Sequence, residues 1–181
     1  MIILLGAPGS GKGTQAEKLS QDLNIPSICM GDIVRDQIKG NTPLGSQMKS
    51  YLDNGDLVPD SIINAMYKEN MPDYKEPYGL LLDGFPRTIN QAIYLSELYV
   101  DKKITLKVIL IDVPNDFLIE RLLERKRSDD TLNVIKNRLM TYQREIEPIL
   151  SHYERNLLKI KGTGSIDDVF IRIKNAIKNN A

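Results

Sequence analysis

Lys12 lies in a run of small residues, Gly6-Ala7-Pro8-Gly9-Ser10-Gly11-Lys12-Gly13-Thr14, between an apolar segment and a helix-forming one. Glycine lets successive backbone N–H groups point into one hollow without steric cost. The start of the following helix adds its positive end, so the loop reads as an anion nest. Lys12 adds a mobile cation suited to the β- and γ-phosphates of a nucleotide. Gly9, Ser10, Gly11, Lys12, Gly13 and Thr14 are therefore candidates for a triphosphate site. A plain glycine-rich turn is the bland alternative, and a lysine at this spacing between strand and helix makes it the weaker one. Phosphate loops of the general pattern carry Ser or Thr directly after the lysine as a magnesium ligand. Here that place is Gly13, with Thr14 one residue later. Magnesium is then expected on the phosphates and on waters anchored by a carboxylate, for which Asp83 at a strand end is the best candidate.

The second concentration of chemistry is Leu80-Leu81-Leu82-Asp83-Gly84-Phe85-Pro86-Arg87-Thr88-Ile89-Asn90-Gln91. Gly84 and Pro86 shape a tight turn that projects Arg87, whose planar guanidinium can hold a phosphate at two points. Gln91, one helical turn on, has the donor and acceptor needed to read an adenine edge. Arg121 and Arg125 lie four apart and share a helix face. Arginines on amphipathic helices are mostly a solvated face, and that is the reading for Lys102, Lys103 and the lysines of the tail. His152, the only histidine, lies outside every motif and is not a general base. Cys29, the only cysteine, reads as a small buried hydrophobe rather than a nucleophile.

Apolar runs at 1–5, 26–29, 79–82, 107–113 and 157–160 read as short strands. Helical patterns fill 14–23, the stretch after Arg87 to about 99, 116–126, 131–156 and 166–178, with a kink expected at Pro148. From 31 to 70 the helical text is punctuated at Gly40-Asn41-Thr42-Pro43, Asp53-Asn54-Gly55 and Val58-Pro59-Asp60, which suggests short helices in a protruding insert. Strands alternating with helices imply an α/β fold with a parallel sheet covered on both faces, and ligands at the carboxyl ends of the strands.

The 181 residues suit one compact domain that buries roughly 70% of the surface its unfolded form exposes. Lys plus Arg (24) balance Asp plus Glu (24), so no overall field draws in nucleic acid or an anionic membrane. Affinity for phosphate must come from local clustering. One cysteine excludes an internal disulfide and a multi-cysteine zinc site. No apolar run approaches the ~20 residues that span a bilayer, and the start is too short for a signal peptide. The expectation is a cytoplasmic protein without membrane or nucleic-acid partners.

The loop variant GxPGxGKGT resembles that of the nucleoside monophosphate kinases, and the segment Asp83 to Thr88 followed by Gln91 closely resembles the adenylate kinase signature. The resemblance runs over essentially the whole chain and implies a P-loop NTPase fold of about five parallel strands. It implies a core at 1–29, 60–123 and 131–181, a helical AMP-binding insert at 30–59, and a minimal lid at about 124–130. Gly31-Asp32-Ile33-Val34-Arg35 resembles the family's entry into the insert, where Arg35 would clamp the AMP phosphate. Asp56-Leu57-Val58 resembles the strip that contacts the AMP adenine. Met30 stands where the family usually has Ser or Thr, so a nucleotide-facing hydroxyl is missing. Arg127-Ser128-Asp129-Asp130 resembles an R-x-D-D motif, with Arg138 at the family's spacing beyond it. Gly164, in Lys161-Gly162-Thr163-Gly164, resembles the backbone contact to the ATP adenine.

What the resemblance implies is a reversible, Mg²⁺-dependent transfer of the ATP γ-phosphoryl group to AMP, giving two ADP, by a monomer without zinc. Lys12, the nest, Arg121, Arg125 and Gly164 would hold ATP. Gly31, Arg35, Asp56, Leu57, Val58, Gly84, Phe85, Pro86, Arg87 and Gln91 would hold AMP, with Arg127 and Arg138. Lys12, Arg87, Arg125, Arg127 and Arg138 would serve the transfer itself, and Asp129 and Asp130 of the lid would orient the arginines. Two alternatives remain open. A UMP/CMP kinase shares the short lid, although Thr88 after Arg87 points to AMP. A non-catalytic nucleotide sensor or ATPase switch would share the cradle but has no need of an acceptor site.

Overall fold

The computed structural model describes residues 1–71, 79–100, 104–125, 127 and 130–180. Five strands form one parallel sheet: β1 (Ile2–Leu5), β2 (Ser27–Cys29), β3 (Leu81–Asp83), β4 (Lys107–Asp112) and β5 (Leu157–Lys161), in the order β2-β3-β1-β4-β5. β1 is central, with Ile3 opposite Leu82 on one side and Val108 on the other. Between the strands run α1 (Lys12–Leu23), α2 (Met30–Lys39), α3 (Pro43–Asn54), α4 (Asp60–Asn70), α5 (Ile89–Tyr99), α6 (Asn115–Arg125), α7 (Leu132–His152) and α8 (Ile166–Asn179).

The period of two along each strand sorts the core into two halves. Ile3, Leu5, Leu82, Val108 and Leu110 face one side, against Val34, Met48, Tyr67, Leu95 and Ile149. Ile2, Leu4, Leu81, Ile109 and Ile111 face the other, against Leu19, Leu118, Leu122, Ile135 and Ile173. Helix α7 serves both halves, its early residues Ile135 and Leu139 on one side and Ile149 on the other. It is continuous through Pro148, and a short 3-10 turn (Glu154–Asn156) takes up the end of the predicted 131–156 helix.

The punctuation between 31 and 70 divides that stretch into α2, α3 and α4. Thr42 caps α3 by accepting the Gly45 N–H at 2.9 Å, with Pro43 in the first turn, and Gly55 ends the helix with a φ of 77°. Chain direction along the sheet reverses about β1: α1 leads towards β2 and β3, whereas β4 and β5 lie on the other side. The carboxyl ends of β1, β3 and β2 therefore open together, at Gly6, Gly84 and Met30. That is where a doubly wound sheet offers a crevice.

Candidate active site

A cleft of about 800 Å³ opens at these strand ends. On the β1 side it is lined by Gly9, Gly11, Lys12, Gly13 and Thr14. Gly11 sits at the N-cap of α1 with φ 91°, a conformation that only glycine adopts freely, and no side chain caps the helix. The first N–H groups of α1 are thus left for an external acceptor. Lys12 folds back over the loop, donating to the carbonyls of Gly6 at 2.7 Å and Ala7 at 2.9 Å. Desolvation pushes its pKa down to about 8; the Asp83 carboxylate opposes this, while Arg87 and Arg125 add to it. The ammonium is held by neutral carbonyls, the weaker kind of partner, and an anion would compete for it well.

On the β3 side, Asp83 ends the strand with 6% exposure, and its Oδ2 lies 3.5 Å from where a Cβ on Gly13 would be. Gly84 follows with φ 73°, and the guanidinium of Arg87 lies over it, with Nε donating to its carbonyl at 2.9 Å. The Phe85–Pro86 peptide bond is cis. Pro86 lines the cleft, whereas Phe85 turns into the core, 1% exposed and stacked on Tyr67 at 4.7 Å between ring centroids.

Gly31, at the start of α2, brings two cations together. A Cβ there would lie 3.3 Å from Arg35 Nη1 and 3.5 Å from Arg87 Nη2. Two guanidinia within reach of one hydrogen-sized gap repel each other unless an anion separates them. Partial desolvation in the cleft and then the charges of Arg138 and Arg35 push the pKa of Arg87 down, opposed by Asp83 and Cys29. Arg35 is tied meanwhile to Asp32. Burial raises the pKa of Asp32, but hydrogen bonds from Cys29 and Arg35 and the charges of Arg35 and Arg127 outweigh it, and the carboxyl stays below its ordinary value.

The remaining arginines close the cleft. Arg121 and Arg125 come from α6, Arg127 from the segment after it and Arg138 from α7. Asp130 does not line the cleft but anchors Arg125 and Arg138 together. Asp56, Leu57 and Val58 line it between α3 and α4. Ser10 lies beneath the loop at 3% exposure, and Gly164 (φ 104°) stands outside the cleft in the turn after β5. Asp129 lies outside the described residues, as do Lys126, Lys102 and Lys103.

One expectation is corrected. Cys29 is not sealed in the core as a hydrophobe: it is half-buried, lines the cleft and directs its thiol at Asp83 Oδ2, 3.7 Å away. Burial and then the Asp83 charge push its pKa up to about 12, so it is indeed no nucleophile. His152 bonds Ser96 at 2.9 Å, away from the cleft. Sequence reasoning also missed Asp60. Its carboxylate accepts from Gln91 Nε2 at 2.7 Å and from the Thr88 hydroxyl at 2.9 Å. The segment Val58-Pro59-Asp60 carried a signal, a carboxylate in the first turn of a helix, but it read as punctuation.

The comparisons with known proteins agree with this geometry. The adenylate kinase family profile matches residues 4–158. The adenylate kinases of Mycobacteroides abscessus and Nocardia farcinica are each 42% identical over 177 residues, 97% of this chain and 98% of theirs. Adenylate kinase 1 of a Synechocystis species is 41% identical over 180 residues, 98% of this chain and 96% of its own. With likeness running end to end over a cleft that gathers the phosphate loop, Asp83 and the arginines, this chain belongs to the adenylate kinase family.

Proposed function

We propose that the chain holds ATP and AMP in one cleft and passes the γ-phosphoryl group between them, reversibly, to give two ADP. The observation that carries this reading is the meeting of Arg35 and Arg87 at Gly31, close to a separate cation cradle at Lys12. Two cationic centres in one cleft suit two phosphorylated ligands. A nucleotide switch needs only the first.

In this reading Lys12 leaves the Gly6 and Ala7 carbonyls for the triphosphate, which the loop N–H groups embrace. Arg35 and Arg87 take the AMP phosphate between them, and Leu57 and Val58 lie along its base with Gln91 at the edge. Arg125, Arg127 and Arg138 converge on the migrating group and neutralise its equatorial oxygens as charge develops there. The attacking atom is an oxygen of AMP's own phosphate, already anionic, so no base has to remove a proton. Catalysis is alignment and electrostatics. Residues 30–59 serve as the acceptor's insert and about 124–130 as a short lid, expelling water that would otherwise accept the phosphoryl group.

Magnesium fits the donor set. Asp83 is a single carboxylate at a strand end facing an open glycine, a suitable anchor for waters of a cation whose other ligands are phosphate oxygens. When bound, it would offset phosphate charge. Among the described residues no three His, Cys, Asp or Glu cluster as a protein-only metal site, and no helix is long and apolar enough to cross a membrane.

A coupled assay for ADP formed from ATP, with AMP, UMP, CMP or no acceptor, tests the proposal. ADP that depends on AMP and magnesium is the expected result. Preferred use of UMP or CMP would replace the reading with a pyrimidine monophosphate kinase, and hydrolysis independent of any acceptor with an ATPase switch.

A further inference from the structure

We propose that Asp60 fixes the donor–acceptor order with which Gln91 reads the acceptor base, and so sets a preference for 6-amino over 6-oxo purines. The inference rests on the reading of Gln91 as the residue at the adenine edge.

Gln91 lines the cleft although only 2% of it is exposed. Each end of its amide is committed. The Asp60 carboxylate can only accept, and it takes Nε2 at 2.7 Å. The Arg87 backbone N–H can only donate, and it ends on Oε1 at 2.7 Å. Partners of this kind settle which end is nitrogen and which is oxygen. Turning the amide over would set NH₂ against N–H and oxygen against carboxylate, losing both bonds in a buried place. Asp60 is itself held, because the Thr88 hydroxyl donates to its Oδ2 at 2.9 Å and accepts the Gln91 backbone N–H at 3.1 Å. Thr88 therefore acts on the base at two removes, through Asp60 and then Gln91.

With those bonds made, Gln91 keeps one N–H and one oxygen lone pair to offer. Adenine matches with its ring N1 as acceptor and its 6-amino group as donor. Hypoxanthine and guanine present N1–H and a 6-oxo oxygen, the reverse order. Cytosine repeats the order of adenine on a smaller ring. The device governed by Asp60 thus separates amino from oxo bases, and ring size is judged elsewhere. Substituting Asn for Asp60 supplies a donor that can face Gln91 Oε1, which removes one of the two restraints against the turned-over amide.

The test compares kcat/KM for AMP and IMP, two purines of equal size, in the wild type, Asp60→Asn, Asp60→Ala and Gln91→Ala. Thermal melts establish that each variant is folded, and either Asp60 variant suffices if the other is not. The AMP:IMP ratio is expected to fall about tenfold in the Asp60 variants, with KM for ATP unmoved, the scale of one buried hydrogen bond that discriminates. Gln91→Ala should lower the ratio at least as far. If Gln91→Ala lowers it and the Asp60 variants lose AMP and IMP turnover equally, Asp60 is a structural residue and the inference is overturned. If Gln91→Ala leaves the ratio unchanged, the base is not read there, and the inference falls together with that reading.

Discussion

Asp130 grips Arg125 at two points, Nε to Oδ2 at 2.9 Å and Nη2 to Oδ1 at 2.8 Å. The same Oδ1 takes Arg138 Nη1 at 2.9 Å, and the carboxylate side chain is only 1% exposed. One buried anion thereby brings an arginine of α6 and an arginine of α7 to a common point. Asp130→Ala leaves two guanidinia without their shared partner. Urea unfolding of the ligand-free protein is expected to show a loss of about 1–3 kcal/mol, since the pair is buried on its acidic side and partly exposed on the basic one. Turnover is expected to fall about tenfold or more, because two cations lose their aim. Full kcat in a folded variant would show that the arrangement does not serve the reaction.

Arg87 bonds Gly84 through Nε, and its Nη2 faces Arg35 across Gly31. An ammonium at this position keeps the charge but has no fork with which to hold the turn and a phosphate at once. Arg87→Lys is expected to lose about 2–4 kcal/mol of transition-state stabilisation, seen as a fall in kcat/KM for AMP with KM for ATP little changed. Wild-type kinetics would remove Arg87 from the acceptor site.

Much of this is legible in the sequence itself. β1, β3 and β4 were plain because consecutive Ile, Leu and Val residues suit strands buried on both faces, whereas the edge strands β2 and β5 bury only Ile28 and Ile160 and carry a weaker signal. The loop around Lys12 and the turn at Arg87 declared themselves because glycine, proline and a cation at fixed spacing have few other uses. What stayed hidden was the pairing between distant segments. Asp60 meets Gln91 across 31 positions and Asn137 meets Asp56 across 81, and no local pattern reports such contacts. The role of Cys29 was hidden too, because the sequence shows it at a strand end but not that the end opens into the cleft beside Asp83.

The lowered pKa of Lys12, about 8, gives ATP binding a pH signature. Below that value the cradle is cationic; as pH rises through it the ammonium loses its proton and its attraction for phosphate. Phosphates bound beside it favour the charged form and raise the pKa again. Calorimetry between pH 8 and 9 (about the range where the free group titrates) in buffers of different ionisation enthalpy is expected to show proton uptake on ATP binding. Lys12→Arg, charged throughout, should show none. The sign for stability is opposite. The unfolded lysine binds its proton more tightly than the folded one, so this group favours folding increasingly as pH rises from about 8 towards its unfolded value of 10.5. Proton release instead of uptake would refute the placement of Lys12 among the phosphates.

The last prediction concerns which part of the cleft moves. The segment proposed as the insert is fastened to α7: Asn137 Nδ2 donates to the Asn54 carbonyl at 2.7 Å and to Asp56 Oδ1 at 2.8 Å. Gly55 between them sits so close to α7 that a Cβ would lie 2.7 Å from the Val134 carbonyl, so the contact admits no side chain. Arg138 is the next residue after Asn137, and its Nη1 bonds Asp130. A phosphoryl group that draws Arg138 in therefore pulls on the turn of α7 that holds the insert. The proposed lid, about seven residues, has little length to swing, whereas the proposed insert carries α2 and α3. Structures of the free chain and of its complex with a two-nucleotide bisubstrate analogue are expected to differ most in residues 30–59. Asn137→Ala should speed amide exchange at the end of α3 and raise KM for AMP several-fold, about the effect of losing two hydrogen bonds at an exposed site, with KM for ATP unchanged. A larger rotation of residues 124–130 than of the insert would contradict the assignment. So would a variant whose exchange at α3 matches the wild type, since the fastening would then carry no load.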